Sequence, residues 1–480
     1  MMKRIPKISP LLATLATSVF LCGGQLVQAA DVKKNTTSQP HETKTNAAGP
    51  FEKVLSNGLR VIVREDHRAP TVVHMVWYHA GSIDEFNGTT GVAHVLEHMM
   101  FKGTKKTLPG EFNKRVAEAG GRDNAFTSKD FTAYFQIIPK ARLGEMMMLE
   151  SDRMANLILD EKEFGQEIKV VMEERRMRTE DDPHSLLYER LVATAFQATP
   201  GRRPIIGWMN DLENMTYKDA RDWYQRWYAP NNAYMVVVGD VNKDEVFRLA
   251  EKYYGKIPKR DLPSRKPQSE PEQIGIKRLV VKAPAKLPFM TMAWKVPALR
   301  DVQKDREPYA LEVLATVLDG HDAARLVRNL VRGSKIAISA GAGYEAMSRG
   351  ETLFLIEGTP AEGKSVEELE AALRAELERI KKDGVNAEEL ERVKIQTIAA
   401  QVYKRDSMMA QAMEIGQIES AGLHWRDIDV TLEKIRSVTA EEVQAVAQKY
   451  FNDDTLTVAV LDPQPISEAQ PKRKAVGLRH

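Results

Sequence analysis

MTYKDARDWYQRWYAPNNAYMVVVGD at 215–240 recurs without a gap as VTAEEVQAVAQKYFNDDTLTVAVLDP at 438–463, and this repeat decides how the chain is organised. Thr216 meets Thr439, Asp219 meets Glu442 and Tyr228 meets Phe451, after which an apolar, strand-like run closes each copy. LDEKEFGQEIKVVMEE at 159–174 aligns with VNAEELERVKIQTIAA at 385–400 at nearly the same offset. A single likeness between two helices arises easily by chance. Two blocks in the same order point to a duplicated α+β domain.

The segments around the repeat supply the rest of each copy. FEKVLSNGLRVIVRED at 51–66 is a hairpin candidate turning at Asn57-Gly58, and TVVHMVWYHAGS at 71–82 reads as a further strand. NAFTSKDFTAYFQIIP at 124–139 is strand-rich, and the two stretches at 140–159 and 161–180 have helical spacing, with Asp182-Pro183 interrupting the second helix. AYMVVVGDV at 233–241 has the continuous apolar character of a buried strand. The charged, proline-rich run PKRDLPSRKPQSEPEQ that follows reads as an interdomain linker. These signals divide the chain into a first domain at 51–257, a linker at 258–275, a second domain at 276–465 and a flexible tail at 466–480.

The first thirty residues read as a secretory signal peptide: Lys3, Arg4 and Lys7, then LLATLATSVFLCGG, then small residues for cleavage after Ala29 or Ala30. The apolar run falls short of the roughly 20 residues a stable membrane span needs. A periplasmic or secreted protein is therefore expected, with a polar, flexible stretch at 31–50. Cys22 is the single cysteine and lies inside this segment, so the mature chain would have no disulfide and no thiolate metal ligand. At 480 residues, 43% hydrophobic and 28% charged, the chain suits two or more globular domains. A net charge of +2 with dispersed Lys and Arg argues against a nucleic-acid partner.

GVAHVLEHMMF at 91–101 carries the chemistry. On a helix, His94, Glu97 and His98 share one face, where two imidazoles can grip a metal and a carboxylate beside a metal-activated water can serve as general base. A motif of three defined positions arises by chance in roughly one such chain in a hundred, and histidines on a helix face are often plain core or surface residues. Catalytic zinc usually takes three protein ligands, and the helix containing Glu167, Glu173 and Glu174 is the place to look for the third. Glu167 and Glu174 share a helical stripe, whereas Glu173 fits a solvated face of ion pairs. In the second copy Ala400 stands where Glu174 does in the first, and no HxxEH is present there either.

GVAHVLEHMMFKGT at 91–104, the acidic helix at its downstream spacing, GGRDNAFTSKDFTAYF and YAPNNAYMVVVGDV together resemble the inverzincin peptidases of family M16, which include pitrilysin, insulin-degrading enzyme and the mitochondrial processing peptidase. The resemblance spans Phe51 to about Pro463. It implies a pitrilysin-like α+β fold: two homologous domains, each a mainly antiparallel sheet packed with helices, forming two halves of a substrate chamber. It further implies one Zn2+ per chain held by His94, His98 and Glu174, with Glu97 as the general base and Glu167 orienting the ligands. Asn124 and Ala125 would lie on the edge strand that holds a peptide or unfolded polypeptide, although ordinary strand residues explain them nearly as well.

One departure bears on activity. Active members often present an Arg and a Tyr, seven residues apart, from the second domain; the corresponding positions here are Val331 and Ile338, neither of which can donate a side-chain hydrogen bond. Arg328 and Arg332 stand nearby with no suitable Tyr beside them. The chain thus looks like the metal-binding subunit of the two-subunit members, expected as a heterodimer with a homologous subunit supplying the Arg/Tyr pair, or as a homodimer. The competing expectation is a non-catalytic structural or chaperone-like subunit of a related peptidase complex.

Overall fold

The computed structural model describes residues 49–466; the expected signal peptide, almost all of the stretch at 31–50 and the tail from 467 lie outside them. Eleven strands are described: β1 Phe51–Val54, β2 Arg60–Glu65, β3 Thr71–Tyr78, β4 Arg122–Thr127, β5 Thr132–Pro139, β6 Ala233–Gly239, β7 Lys277–Pro284, β8 Phe289–Val296, β9 Ala337–Tyr344, β10 Thr352–Pro360 and β11 Leu456–Gln464. The helices of the first half are α1 Val92–Met99, α2 Glu111–Glu118, α3 Leu143–Asn156, α4 Glu161–Arg175, α5 Pro183–Ala195, α6 Met209–Asn214, α7 Tyr217–Trp227 and α8 Lys243–Tyr254. Those of the second are α9 Glu307–Asp319, α10 Val366–Asp383, α11 Ala387–Lys404, α12 Met408–Ser420, α13 Ile428–Arg436 and α14 Ala440–Tyr450. Among the described residues no helix is long and apolar enough to cross a membrane.

The repeat read from the sequence is a repeat of structure. Thr216 and Thr439 open α7 and α14 with the same capping box, closed by Asp219 and Glu442. Asp160 and Asn386 cap α4 and α11. Each repeat ends in a strand placed inside its sheet: the orders are β1-β2-β6-β3-β5-β4 and β7-β11-β8-β10-β9. One pair in each sheet is parallel, β2 with β6 and β7 with β11, and all others are antiparallel. The fold is thus two α+β domains of matching topology, with an extra edge strand, β1, on the first.

Strand periodicity explains why the runs TVVHMVWY and AYMVVVG are apolar at nearly every position. Val72, Val76, Tyr78, Met235 and Val237 face one core, packed with residues of α1, α3, α7 and α8. The alternate residues Val73, Met75, Trp77, Tyr234, Val236 and Val238 face the opposite side. That second face is covered by Ala412, Ile415 and Ile418 of α12, a helix from the other half of the chain. The reciprocal contact is made by α5, whose Leu187, Leu191, Val192 and Ala195 cover Ala283, Ala293, Leu353, Ala459 and Leu461 on the second sheet. α5 follows α4, and α12 follows α11, so the two halves exchange equivalent helices.

Two sequence expectations change in detail. Asp182-Pro183 does not cut a running helix: α4 ends at Arg175, a π-helical turn spans Arg176–Glu180, and Asp182 then caps α5 with Pro183 in its first turn. The stretch after α8 is irregular yet tied down, because Glu270 accepts hydrogen bonds from the N–H groups of Gln197, Ala198 and Thr199 and from Lys295. Arg265 of the same stretch and Arg349 of the β9–β10 loop both pair with buried Asp84, adding a charged clamp between the halves.

The exchanged helix α12 meets the first sheet at Gly416, whose carbonyl accepts from Tyr234 and where an added Cβ would lie 2.0 Å from the buried Trp77 ring. Alanine raises intrinsic helix stability by about 1 kcal/mol over glycine. Here the clash dominates, so Gly416→Ala is expected to lower stability by about 1–3 kcal/mol in denaturant unfolding; an unchanged or raised midpoint would count against this account of the interface.

Candidate metal centre

α1 is buried along its whole length, and its start is held by backbone geometry and two acids. Gly91 precedes the helix at φ 87°, and an added Cβ there would lie 2.6 Å from the Ile206 carbonyl oxygen. Glu85 accepts from the N–H groups of Gly91 and Ala93 at 2.8 and 2.9 Å, satisfying donors that the first helical turn leaves unpaired. Asp211 accepts from the N–H groups of Gly88 and Thr90 and from the Thr90 hydroxyl. The histidine-bearing helix is thereby fixed before any ligand is considered.

α4 packs against α1 and brings its acidic stripe to the imidazoles. Glu174 Oε2 lies 3.6 Å from His94 Nε2 and 3.3 Å from His98 Nε2. One ligand atom from each of His94, His98 and Glu174 falls within 4.8 Å of the others, the one such group of three among the described residues. Two ligands each bound at about 2.0–2.1 Å to a tetrahedral ion are separated by about 3.3–3.4 Å, and the two Glu174–imidazole spacings are close to that separation. Two imidazoles and a carboxylate also suit zinc chemically.

The surrounding groups orient this set. His98 Nδ1 lies 2.8 Å from Glu167 Oε1; a carboxylate only accepts, so Nδ1 carries the hydrogen and Nε2 is left to face Glu174. Lys102 Nζ sits 2.5 Å from the other Glu167 oxygen. Buried Glu97 accepts a 2.5 Å hydrogen bond from the hydroxyl of Thr127 at the end of β4. Arg178, in the π-helical turn, reaches back to Glu174 Oε1 at 2.6 Å. Glu173 points away and pairs with Arg176, as its solvated-face reading anticipates. Lys102, Thr127 and Arg178 went unnoticed in the sequence. The i to i+4 spacing of Arg178 from Glu174 was its available signal; nothing local links Thr127 to Glu97.

Burial pushes the Glu97 carboxyl up to about 7, against the opposing effects of His98 and the Thr127 hydroxyl. Burial alone would lower the His98 imidazole, but the hydrogen-bonded carboxylates of Glu167 and Glu174 overcome it and raise the ring to about 9. Burial would likewise raise Glu167 and Glu174; their imidazole neighbours, with Lys102 and Arg178, hold both near 2 instead. Without metal, a proton on His98 thus takes part of the role of a cation, and metal binding must displace it.

The remaining sequence-derived positions lie elsewhere. Asn124 and Ala125 are on β4, which pairs with β5 along one side and forms an edge of its sheet. Asn124 Oδ1 accepts from the Ala125 N–H at 2.8 Å. Val331 lies in a π-helical turn and packs on the second core, and Ile338 is half exposed on edge strand β9. Arg328 donates to Asn329 and Arg332 pairs with Asp322 at 3.6 Å.

Comparison with known proteins follows the same division. Residues 60–208 match the family model described as Insulinase (Peptidase family M16), and residues 214–397 match the one described as Peptidase M16 inactive domain. The zinc protease PqqE of Helicobacter pylori is 33% identical over 417 residues, covering 85% of this chain and 92% of that protein. The crystal structure of a protease from Helicobacter pylori superposes with a TM-score of 0.81 at 31% identity, covering 86% of this chain and 99% of that one. The periplasmic protease PqqL of Escherichia coli shares the fold, with a TM-score of 0.75 at 21% identity, covering 90% of this chain and 50% of that one.

The titration of the cluster sets a testable pH dependence for the metal-free chain. The stabilisation from His98 is whole below pH 6.5 and is lost as pH rises through about 9; that from Glu97 is whole below 4.5 and is lost through about 7. Glu167 and Glu174 act oppositely, contributing above 4.5 and losing their effect only as pH falls through about 2. Calorimetry with chelator present should show the unfolding temperature dropping between pH 6.5 and 9, and Glu167→Gln should flatten that slope.

Proposed function

This chain belongs to peptidase family M16, and on that premise we propose that it is a zinc-dependent endopeptidase or oligopeptidase acting on peptides or unfolded polypeptides. The observation that carries the reading is the convergence of His94 Nε2, His98 Nε2 and Glu174 Oε2 at separations suited to zinc, with buried Glu97 on the same helix. His94, His98 and Glu174 would hold the ion. Zinc bound there supplies Lewis-acid chemistry, acidifying water and polarising a peptide carbonyl.

The chain's own groups do the rest. Glu97, poised near neutral pH by burial, takes a proton from the attacking water and returns it to the leaving amide nitrogen. Thr127 holds one oxygen of that carboxylate, directing the other to the reacting atoms. Glu167, through His98 Nδ1, keeps the ring in the tautomer that presents Nε2. β4 offers a peptide an exposed sheet edge beside Glu97, with Asn124 and Ala125 along it, so main-chain pairing can hold substrate in register.

Val331 and Ile338 support a two-subunit enzyme, in which a homologous partner, or a second copy of this chain, supplies the hydrogen-bond donors they lack. They equally favour a second reading, a non-catalytic subunit that keeps fold and metal. The amino-terminal segment supports export to the periplasm or the medium.

Glu97→Gln should keep about one zinc per chain and lower peptide hydrolysis by about 10²- to 10⁴-fold. Native mass spectrometry reads the metal and any partner, and digestion of a mixed peptide library reads the activity. Unchanged hydrolysis in Glu97→Gln sinks the mechanism. A zinc-loaded chain inert with every homologous partner supports the non-catalytic reading.

A further inference from the structure

We propose that Arg178 is a positioning residue that keeps Glu174 a one-oxygen ligand and thereby keeps a coordination position of the metal open; this rests on the metal-centre reading above. The two oxygens of Glu174 have different surroundings. Oε2 faces both imidazoles, whereas Oε1 lies 2.6 Å from Arg178 Nη1 on the far side of the carboxylate. An Arg–carboxylate contact of this length is a charge-assisted hydrogen bond, stronger than a neutral one. A carboxylate that turned both oxygens to the ion would fill, together with two histidines, the four positions of a tetrahedral site. Catalytic zinc needs one of those positions free.

Most i to i+4 ion pairs are solvated helix-surface contacts that contribute little. This pair is asymmetric: the Glu174 side chain is 1% exposed and that of Arg178 46%, so the guanidinium reaches a buried oxygen from the solvent side. The helix end that carries Arg178 is itself anchored. Arg175 makes a bidentate contact with buried Glu189 at 2.7 and 3.0 Å and donates to the Gly207 carbonyl, pinning the junction between α4 and its π-helical turn onto α5 and the loop before α6. Glu173 engages Arg176, while Arg178 pairs with Glu174.

The test compares full-length, zinc-loaded wild type with Arg178→Gln, Arg178→Lys and Glu174→Ala. X-ray absorption at the zinc edge should find the Glu174 carboxylate carbon drawn closer to zinc in Arg178→Gln, as binding through both oxygens requires, with metal content unchanged. Arg178→Lys, which keeps a charged donor, should move back toward wild type. Cobalt-loaded chains give a second reading, since ligand-field absorbance follows the geometry of the ligand set and shifts when a carboxylate oxygen takes the place of water. kcat should fall about 10- to 100-fold in Arg178→Gln with less change in KM. An Arg178→Gln centre indistinguishable from wild type in both spectra overturns the proposal. If Glu174→Ala loses zinc while Arg178→Gln is unaltered, this inference alone fails; if Glu174→Ala keeps an unchanged zinc environment, the metal-centre reading fails instead.

Discussion

Each sheet in this protein has two apolar faces and only one of them is covered by helices of its own half. The alternation along β3 and β6 sends Val72, Val76, Met235 and Val237 to one core and Val73, Trp77, Tyr234 and Val238 to another. Burying the second face requires α12, as burying its equivalent on the other sheet requires α5. A strand apolar on both sides exposed to water would cost several kcal/mol per large side chain pair, so neither half is complete without the helix it receives.

The candidate centre depends on that arrangement through α4. One end of this helix is capped by Asp160, and the other is pinned by Arg175 on Glu189 of the departing α5. Between these fixed points Glu167 and Glu174 are held against His98 and His94. The acids and imidazoles share burial that would be unfavourable for any of them alone, and each charge is met by an opposite one. Lys102 and Arg178 complete the balance at the solvent-facing ends of the two carboxylates.

The second half keeps the same scaffold and discards the chemistry. α11 repeats the side-chain cap of α4, yet Ala400 takes the place of Glu174. α9 contacts α11 and α14 as α1 contacts α4 and α7, and it carries no histidine. Duplication thus supplied two equivalent bodies able to trade helices, while only one of them retains a cluster of metal-ligating side chains among the described residues.

Periodicity and short-range spacing were enough to read the repeat, the two-domain α+β organisation and the face shared by His94, Glu97 and His98, because those follow from 3.6-residue and 2-residue periods within single elements. The stripe of Glu167 and Glu174 was legible for the same reason, and Glu173 stood apart from it on a solvated face of ion pairs. Side-chain partners from distant elements were not legible: Thr127 meets Glu97 only because β4 packs on α1, and Asp84 meets Arg265 and Arg349 only where the halves join. Nor could a continuous apolar strand say which helix would cover its second face. Local order along the chain determined what each element is and which residues share a side. Tertiary packing alone decided which elements meet, since burial rewards any apolar partner of suitable shape and leaves no mark of the choice in the neighbouring sequence.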